Sequence, residues 1–353
     1  MPNYKAGSFI YDEISSQGSA WAEIIPIILH QRAAIRALFT GIDAVVFTGC
    51  GSALNVSFSA APLFQMLTGI SARGIPAAET YLYPSACLPG GRKRVAVLIS
   101  RSGKTSEVLR SLDYFREESF LTLGITCMED SPLALGCDLS LLLTPVSERA
   151  VATTRSLTGM ILAVQLVSAI VAGDEAYLDE LHYLPEAFIA NQEKFHALGK
   201  SIGEEASLAR YAFVGNGPFY GCARESQLKV KEMTLLSADS YPMFDFRHGP
   251  QSNVSPQMLV TAFLSDTARP QEVAFLKDMH AFGGTVWGIC DKAGEDVNES
   301  THHLLELRSN LSELARLPLC LPAVQYMAYY RALSLELNPD EPHNLSYWIK
   351  TSA

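Results

Sequence analysis

Nearly continuous apolar runs recur along the chain, each closed by turn residues and followed by a stretch of helical pattern. In the first half they are Ala44 to Thr48, Val95 to Ser100, Phe120 to Thr126 and Leu139 to Thr144; in the second, Tyr211 to Val214, Met258 to Leu264, Thr285 to Cys290 and His303 to Leu307. Strand and helix alternating in this way predict an α/β chain built on doubly wound parallel sheets. Both halves open alike, a strand running into a glycine turn: Phe47-Thr-Gly-Cys-Gly-Ser52 and Phe213-Val-Gly-Asn-Gly-Pro218. The pattern therefore predicts a duplicated domain. A helical stretch, Trp21 to Leu38, precedes the first strand, and a charge-rich helical segment, Asp174 to Ser201, lies between the halves. Beyond Asn338, Pro339, Pro342 and Asn344 interrupt any regular pattern. The expected organisation is an N-terminal helical segment (1–40), a first domain (41–173), a linker helix (174–201), a second domain (202–337) and an irregular tail (338–353).

Composition narrows the function classes. A chain of 353 residues, 48% hydrophobic and 18% charged, can bury two cores of ordinary size and reads as compact rather than disordered. The net charge of -10 disfavours nucleic acid, for which a basic stripe is needed, and Trp21, Trp287 and Trp348 form no stacking platform. A local nest of backbone N–H groups can still bind a small anion whatever the net charge, so phosphorylated small molecules stay open. The seven cysteines are scattered without a CxxC pair, which predicts reduced thiols in a cytoplasmic protein. No leader pattern is visible at the N-terminus. The most apolar run, Met160 to Ala172, is short for a bilayer and carries Gln165 and Ser168, so a buried helix is expected and no membrane association. No histidines have metal spacing, and the adjacent His302 and His303 would point to opposite faces of a strand; no metal is expected.

The densest chemistry lies in Glu225-Ser-Gln-Leu-Lys229-Val-Lys-Glu232, followed by Phe246-Arg247-His248-Gly249-Pro250. On a helix, steps of four and then three place Glu225, Lys229 and Glu232 on one face. Moving a proton between adjacent sugar carbons calls for a carboxylate base, a group that opens the ring and a cation for oxyanion charge. The competing reading is an exposed helix face whose ion pair contributes about 0.2–0.5 kcal/mol, with His248 a packed turn residue. Two loops, Gly49-Cys50-Gly51-Ser52 and Ser100-Arg-Ser-Gly-Lys-Thr-Ser106, close strands where an open parallel sheet binds ligands. The second has hydroxyls around a glycine at a helix start, a phosphate cradle without a Walker lysine pattern; the alternative for Ser102 and Thr105 is helix capping. No GxGxxG with an acidic ribose partner is present, and no redox cofactor is expected.

These motifs together, with Val151-Ala-Thr-Thr-Arg-Ser156, resemble the sugar isomerase (SIS) domains of the isomerase half of glucosamine-6-phosphate synthase, of amino-sugar-phosphate deaminases and of ketose/aldose isomerases. The resemblance runs over nearly the whole chain. It implies two tandem SIS domains, each a doubly wound, mainly parallel five-stranded sheet in a flavodoxin-like αβα sandwich. It also implies that Ser52, Ser100, Ser102 and Thr105 hold a phosphate, that Gly51 and Arg101 in the same loops and Tyr347 in the tail are substrate-binding residues, and that Val151 and Ala152 face the sugar. His248 would open the ring, Glu232 carry the proton between C1 and C2, Lys229 stabilise the oxyanion and Glu225 orient His248 or the ring hydroxyls. The tail would lie over the sugar. The sequence departs from the synthase pattern at Arg101 (glutamine there), at Ala53 (a hydroxyl residue) and at Tyr347 (a lysine implicated in ring opening), with Lys350 three residues further on. Arg101 and the Phe246–Pro250 turn look more like the stand-alone deaminases and isomerases. With Pro2 after Met1 and no amidohydrolase domain, glutamine-dependent synthesis is not expected.

The implied function is deamination of a 2-amino-2-deoxyhexose 6-phosphate through C1/C2 proton transfer. The alternatives are aldose-ketose isomerisation of a C6-charged hexose, a fructosamine-6-phosphate deglycase and a non-catalytic sugar-phosphate sensor. The expected partner is a small-molecule sugar phosphate. A homodimer with shared active sites is implied, His248 reaching the neighbouring subunit and the apolar helix from Leu157 to Ala172 forming an interface.

Overall fold

The computed structural model describes residues 5–348. They form two compact units. The first-repeat unit takes in Ser16–Arg149, Arg155–Pro185 and the end of the tail from Ser346; the second-repeat unit takes in Glu186–Leu345, the short segment Ala150–Thr154 and the N-terminal residues up to Ser15.

The first-repeat unit holds β1 (Ala44–Gly49), β2 (Ser71–Pro76), β3 (Arg94–Ile99), β4 (Leu121–Thr126) and β5 (Leu139–Leu142). They form one parallel sheet in the order β2-β1-β3-β4-β5, with Val46 of β1 opposite both Arg73 of β2 and Ala96 of β3. The second-repeat unit holds β6 (Arg210–Gly215), β7 (Ser237–Tyr241), β8 (Met258–Phe263), β9 (Thr285–Cys290) and β10 (His303–Glu306), in the order β10-β9-β8-β6-β7. Read from the other edge this is the same topology, the flavodoxin-like order, and it is all parallel. The apolar runs are the inner strands together with the edge strands β5 and β10, and β1 and β8 are buried at every position.

The runs do not reveal β2 and β7. Both are edge strands, Ser-Ala-Arg-Gly-Ile-Pro and Ser-Ala-Asp-Ser-Tyr, each with a single fully buried residue, so no apolar run marks them. Gly74 in β2 is required by packing. A Cβ there would lie 2.6 Å from the carbonyl oxygen of Ser57, in the helix Ser52–Thr68 that crosses the strand. Val46, Leu98, Leu112 and Phe115 anchor the first-repeat core, and Val214, Val260, Phe275 and Met279 the second.

The N-terminal helical stretch is two helices, Gln17–His30 and Arg32–Leu38, and the segment between the repeats is likewise two, Glu175–His182 and Leu184–Gly203. Asp174 caps the third of these, accepting from the N–H of Tyr177 at 3.0 Å. The apolar helix, Arg155–Ala172, is buried continuously from Ser156 to Ile170. It packs on the helices Ser52–Thr68 and Gln17–His30. Its length and hydropathy would suffice to cross a membrane, but 83% of it is covered within the fold, and it is a core helix of the first-repeat unit. The expectation that Leu157 to Ala172 forms a subunit interface is thereby overturned, since the residues that would face a partner are used by the unit's own core.

Candidate active site

The helix Phe219–Thr234 follows β6, starting after Gly217 at φ +52 and Pro218. Its Cys222, Ser226, Val230 and Met233 are buried, and the helix packs on β6, β7 and the helix Pro322–Ser334. Glu225 and Lys229 are buried too, each 1% exposed. The Lys229 ammonium lies 3.3 Å from the Glu225 carboxylate, in salt-bridge contact with Glu232, and 3.3 Å from the Thr153 hydroxyl. Burial pulls the Lys229 pKa down, but Glu225 and Glu232 outweigh it and hold the ammonium above its ordinary value. The Glu232 side chain is 18% exposed while those of Glu225 and Lys229 are 2% and 1%. Solvent therefore reaches Glu232 and not the ammonium behind it. The exposed-helix-face reading does not hold, because the pair is enclosed.

Thr153 arrives on the segment Ala150–Thr154, which is pinned at both ends. Ala150 N–H donates to Glu13 at 3.2 Å, Val151 N–H to the carbonyl of Asp340 at 3.3 Å, and Gln325 donates to the carbonyl of Thr154 at 3.2 Å. Val151 is half-buried, whereas Ala152 is 1% exposed. His248 stands exposed on its turn, its backbone N–H bonded to the carbonyl of Asp245 at 3.0 Å and Gly249 following at φ +127. Its side chain makes no hydrogen bond or ion pair among the described residues, so within the chain Glu225 orients Lys229 and not His248.

In the first-repeat unit the two loops lie at the switch point between β1 and β3, where the strand order reverses. Gly51 takes φ +57 and opens the helix Ser52–Thr68. Ala53 is buried under this loop, its Cβ so close to Gly49 that any side chain there would come within 2.7 Å. Burial, aided by Glu107, pushes the Cys50 thiol up to about 12, leaving it protonated and inert. In the second loop the hydroxyls of Ser100 and Thr105 are 3.2 Å apart, Gly103 N–H donates to the Ser100 hydroxyl at 3.1 Å, and Lys104 N–H donates to that of Ser102 at 3.2 Å. Thr105 occupies the N-cap position of the helix Ser106–Glu117 yet makes no side-chain cap, so capping does not account for its hydroxyl. Gly103, at φ +60, has no room for a Cβ: one would sit 2.1 Å from the Ser131 hydroxyl. Arg101 meets the Glu148 carboxylate and the Tyr347 carbonyl. Lys350 lies outside the described residues.

The SIS domain family model matches residues 38–169 and 207–334, one match on each repeat. The chain belongs to the SIS domain family. A glutamine–fructose-6-phosphate aminotransferase from Fusobacterium nucleatum is 26% identical over 87% of the chain and 52% of its own length, and one from Chlamydia caviae is 27% identical over 96% and 58%. The chain thus spans about half the length of the curated relatives it matches. Among solved structures, glucosamine-6-phosphate deaminase from Thermotoga maritima superposes with a TM-score of 0.79 at 26% identity, covering 97% of this chain and 99% of the other. Tagatose-6-phosphate ketose/aldose isomerase from Escherichia coli superposes at 0.86 with 23% identity, over 96% and 97%, a likeness of fold.

The second SIS repeat has a switch point of its own, between β6 and β8, and it is filled by carboxylates from the same unit. Glu272 accepts from Ser265 N–H at 2.7 Å, from the Ser265 hydroxyl at 3.0 Å and from Asn216 at 3.4 Å, bridging the loops after β8 and β6. Glu313 accepts from the N–H groups of Asp266 and Thr267 at 2.5 and 2.9 Å. At this second switch point the loop's donors are met by the chain's own carboxylates. Glu272, Glu313, Glu148 and Thr153 all escape the sequence reading. Only Thr153 lay within a motif singled out from sequence; the rest are isolated residues whose partners are distant in the chain.

Proposed function

We propose that the chain is a phosphosugar deaminase acting on a 2-amino-2-deoxyhexose 6-phosphate. The observation that carries the reading is the enclosed ammonium of Lys229 between Glu225 and Glu232, with Glu232 alone open to a ligand. In this reading Glu232 takes the proton from C2 of the open-chain sugar, leaving an enolamine, and returns it to C1. Water then adds to the resulting C2 iminium and ammonia leaves, giving the ketose phosphate. Proton transfer and hydrolysis balance without an oxidant, so no redox cofactor is called for. Lys229, being buried, serves to hold Glu232 rather than to meet the oxyanion. Ser52, Ser100, Ser102 and Thr105 bind the phosphate, Gly51 lets the backbone approach it and Val151 borders the sugar. His248, exposed and with no side-chain partner among the described residues, opens the ring in the site of a neighbouring subunit of a two-fold dimer.

The similarity to the Thermotoga maritima deaminase over both full lengths supports this substrate class. One observation favours the second reading, aldose-ketose isomerisation: the position of the tail lysine is held by Tyr347, whose hydroxyl donates to the Glu148 carbonyl at 2.9 Å and is not free to relay a proton. Glucosamine and galactosamine 6-phosphates, assayed for ammonia and ketose phosphate, decide between them. Deamination gives the two products in equal amounts. Interconversion of an aldose and a ketose phosphate with no ammonia from any amino sugar overturns it in favour of the isomerase.

A further inference from the structure

Arg101 and Tyr347, two of the positions where the sequence departs from the synthase pattern, are far apart in the chain and meet in the first-repeat unit. The Arg101 guanidinium lies 4.0 Å from the centre of the Tyr347 ring and donates to the Tyr347 carbonyl at 3.2 Å. Its other end is 3.5 Å from the Glu148 carboxylate, and the Tyr347 hydroxyl donates to the Glu148 carbonyl at 2.9 Å. Glu148 also accepts from the Ser156 hydroxyl. The next tail residue, Trp348, meets the Tyr347 ring edge-on at 5.8 Å and lies over the Lys104 ammonium at 5.2 Å. Arg101 and Glu148 are 8% and 5% exposed, so their charges answer each other out of water.

We propose that Arg101 is a positioning residue, latching the tail segment Ser346–Trp348 onto the anion loop Ser100–Thr105 through Tyr347, and that its charge serves Glu148 and not the ligand's phosphate. The loop's own backbone is tied into the same contact. The Arg101 carbonyl accepts from Cys127 N–H at 3.0 Å and from the Thr126 hydroxyl at 3.2 Å, so a shift of Arg101 moves the peptide that sets Ser100 and Ser102. Docking of the tail and the shape of the cradle are thus one equilibrium. The two departures from the synthase pattern form one device, in which a guanidinium-aromatic stack stands where the synthase pattern has an amide and an ammonium.

The inference rests on the phosphosugar reading only for its activity arm; the docking arm needs no substrate. Trp21 and Trp287 are 0% exposed and Trp348 is 37% exposed, so acrylamide quenching of tryptophan fluorescence reports on Trp348. Arg101→Gln, Tyr347→Ala and the double variant are each expected to raise the quenching constant about twofold, the double no more than either single change, as for one shared contact. Tyr347→Ala removes the contact from the tail side and leaves the buried loop residues in place, so the latch remains readable if Arg101→Gln does not fold. With substrate, each variant raises KM severalfold at nearly constant kcat, and Arg101→Lys, which keeps the charge without the fork or the stack, behaves like Arg101→Gln. Unchanged quenching in Tyr347→Ala, additive effects in the double variant, or a KM restored by Arg101→Lys alone overturns the latch. If the wild type turns over no amino-sugar phosphate, the function reading fails while the quenching result still decides the latch.

Discussion

Replacing Lys229 with methionine keeps the length of the side chain and removes the charge that two carboxylates share. Glu225, 1% exposed, loses the ammonium that lies 3.3 Å from it, and breaking a buried pair from one side destabilises by about 3–5 kcal/mol. Glu232→Gln is a different perturbation. The amide oxygen still accepts from the Lys229 ammonium, Glu225 still neutralises it, and the side chain is already 18% exposed, so about 0.5–1.5 kcal/mol is expected. In urea unfolding followed by circular dichroism, at a slope of about 3 kcal/mol per M, Lys229→Met lowers the midpoint by about 1–1.7 M and Glu232→Gln by at most about 0.5 M. On the proposed reading turnover reverses the contrast with stability, Glu232→Gln being expected to fold and bind but not to move the proton. The pH dependence has a definite sign. The pKa of Lys229 is raised from 10.5 in the fold, so its contribution is fully present below about pH 10.5 and is lost as pH rises through the higher folded value. Wild type therefore shows an alkaline loss of stability that Lys229→Met lacks. A Lys229→Met midpoint within about 0.2 M of wild type would refute the reasoning, since it would return the pair to the 0.2–0.5 kcal/mol of a surface contact.

The cradle hydroxyls give a second test: Ser102→Ala and Thr105→Val each delete a partner of a charged ligand, expected to weaken binding by about 1.5–3 kcal/mol and so raise KM about tenfold or more, and an unchanged KM in both would assign the loop a purely structural role. Gly103→Ala combines a left-handed backbone with a Cβ 2.1 Å from the Ser131 hydroxyl, and thermal or urea unfolding should show a loss of about 2–4 kcal/mol; a fully stable variant would contradict the packing described.

Much of this protein was legible before any coordinates. The inner strands β1, β3, β4, β8 and β9 are apolar because they are covered on both faces, and a strand in that position writes its own signal into the sequence. The glycine turns after β1 and β6 declared the duplication, and i,i+4 and i,i+3 spacing placed Glu225, Lys229 and Glu232 on one helical face. The edge strands β2 and β7 are a different case. Ser71–Pro76 and Ser237–Tyr241 need little apolar surface, and their pairing is held by backbone hydrogen bonds that every residue type can make. Burial was likewise beyond reach: the same ExxxKxxE spacing serves an exposed face or an enclosed ion pair, and only the packing of Thr153 and its segment shows which. The apolar helix Arg155–Ala172 announced that it must be covered, but not by what, and the covering proved to be its own unit.

Local chemistry, then, is the part that the sequence determined by itself, because strand, turn and helix-face patterns depend on neighbours a few residues apart. Tertiary structure alone decided which charges meet. Arg101 faces Glu148 and Tyr347, and Glu272 and Glu313 accept from the loop after β8 in the second repeat. Each of those pairings joins residues from separate elements, and a Coulombic or hydrogen-bonded contact between distant residues leaves no periodicity in a single chain from which it could be read.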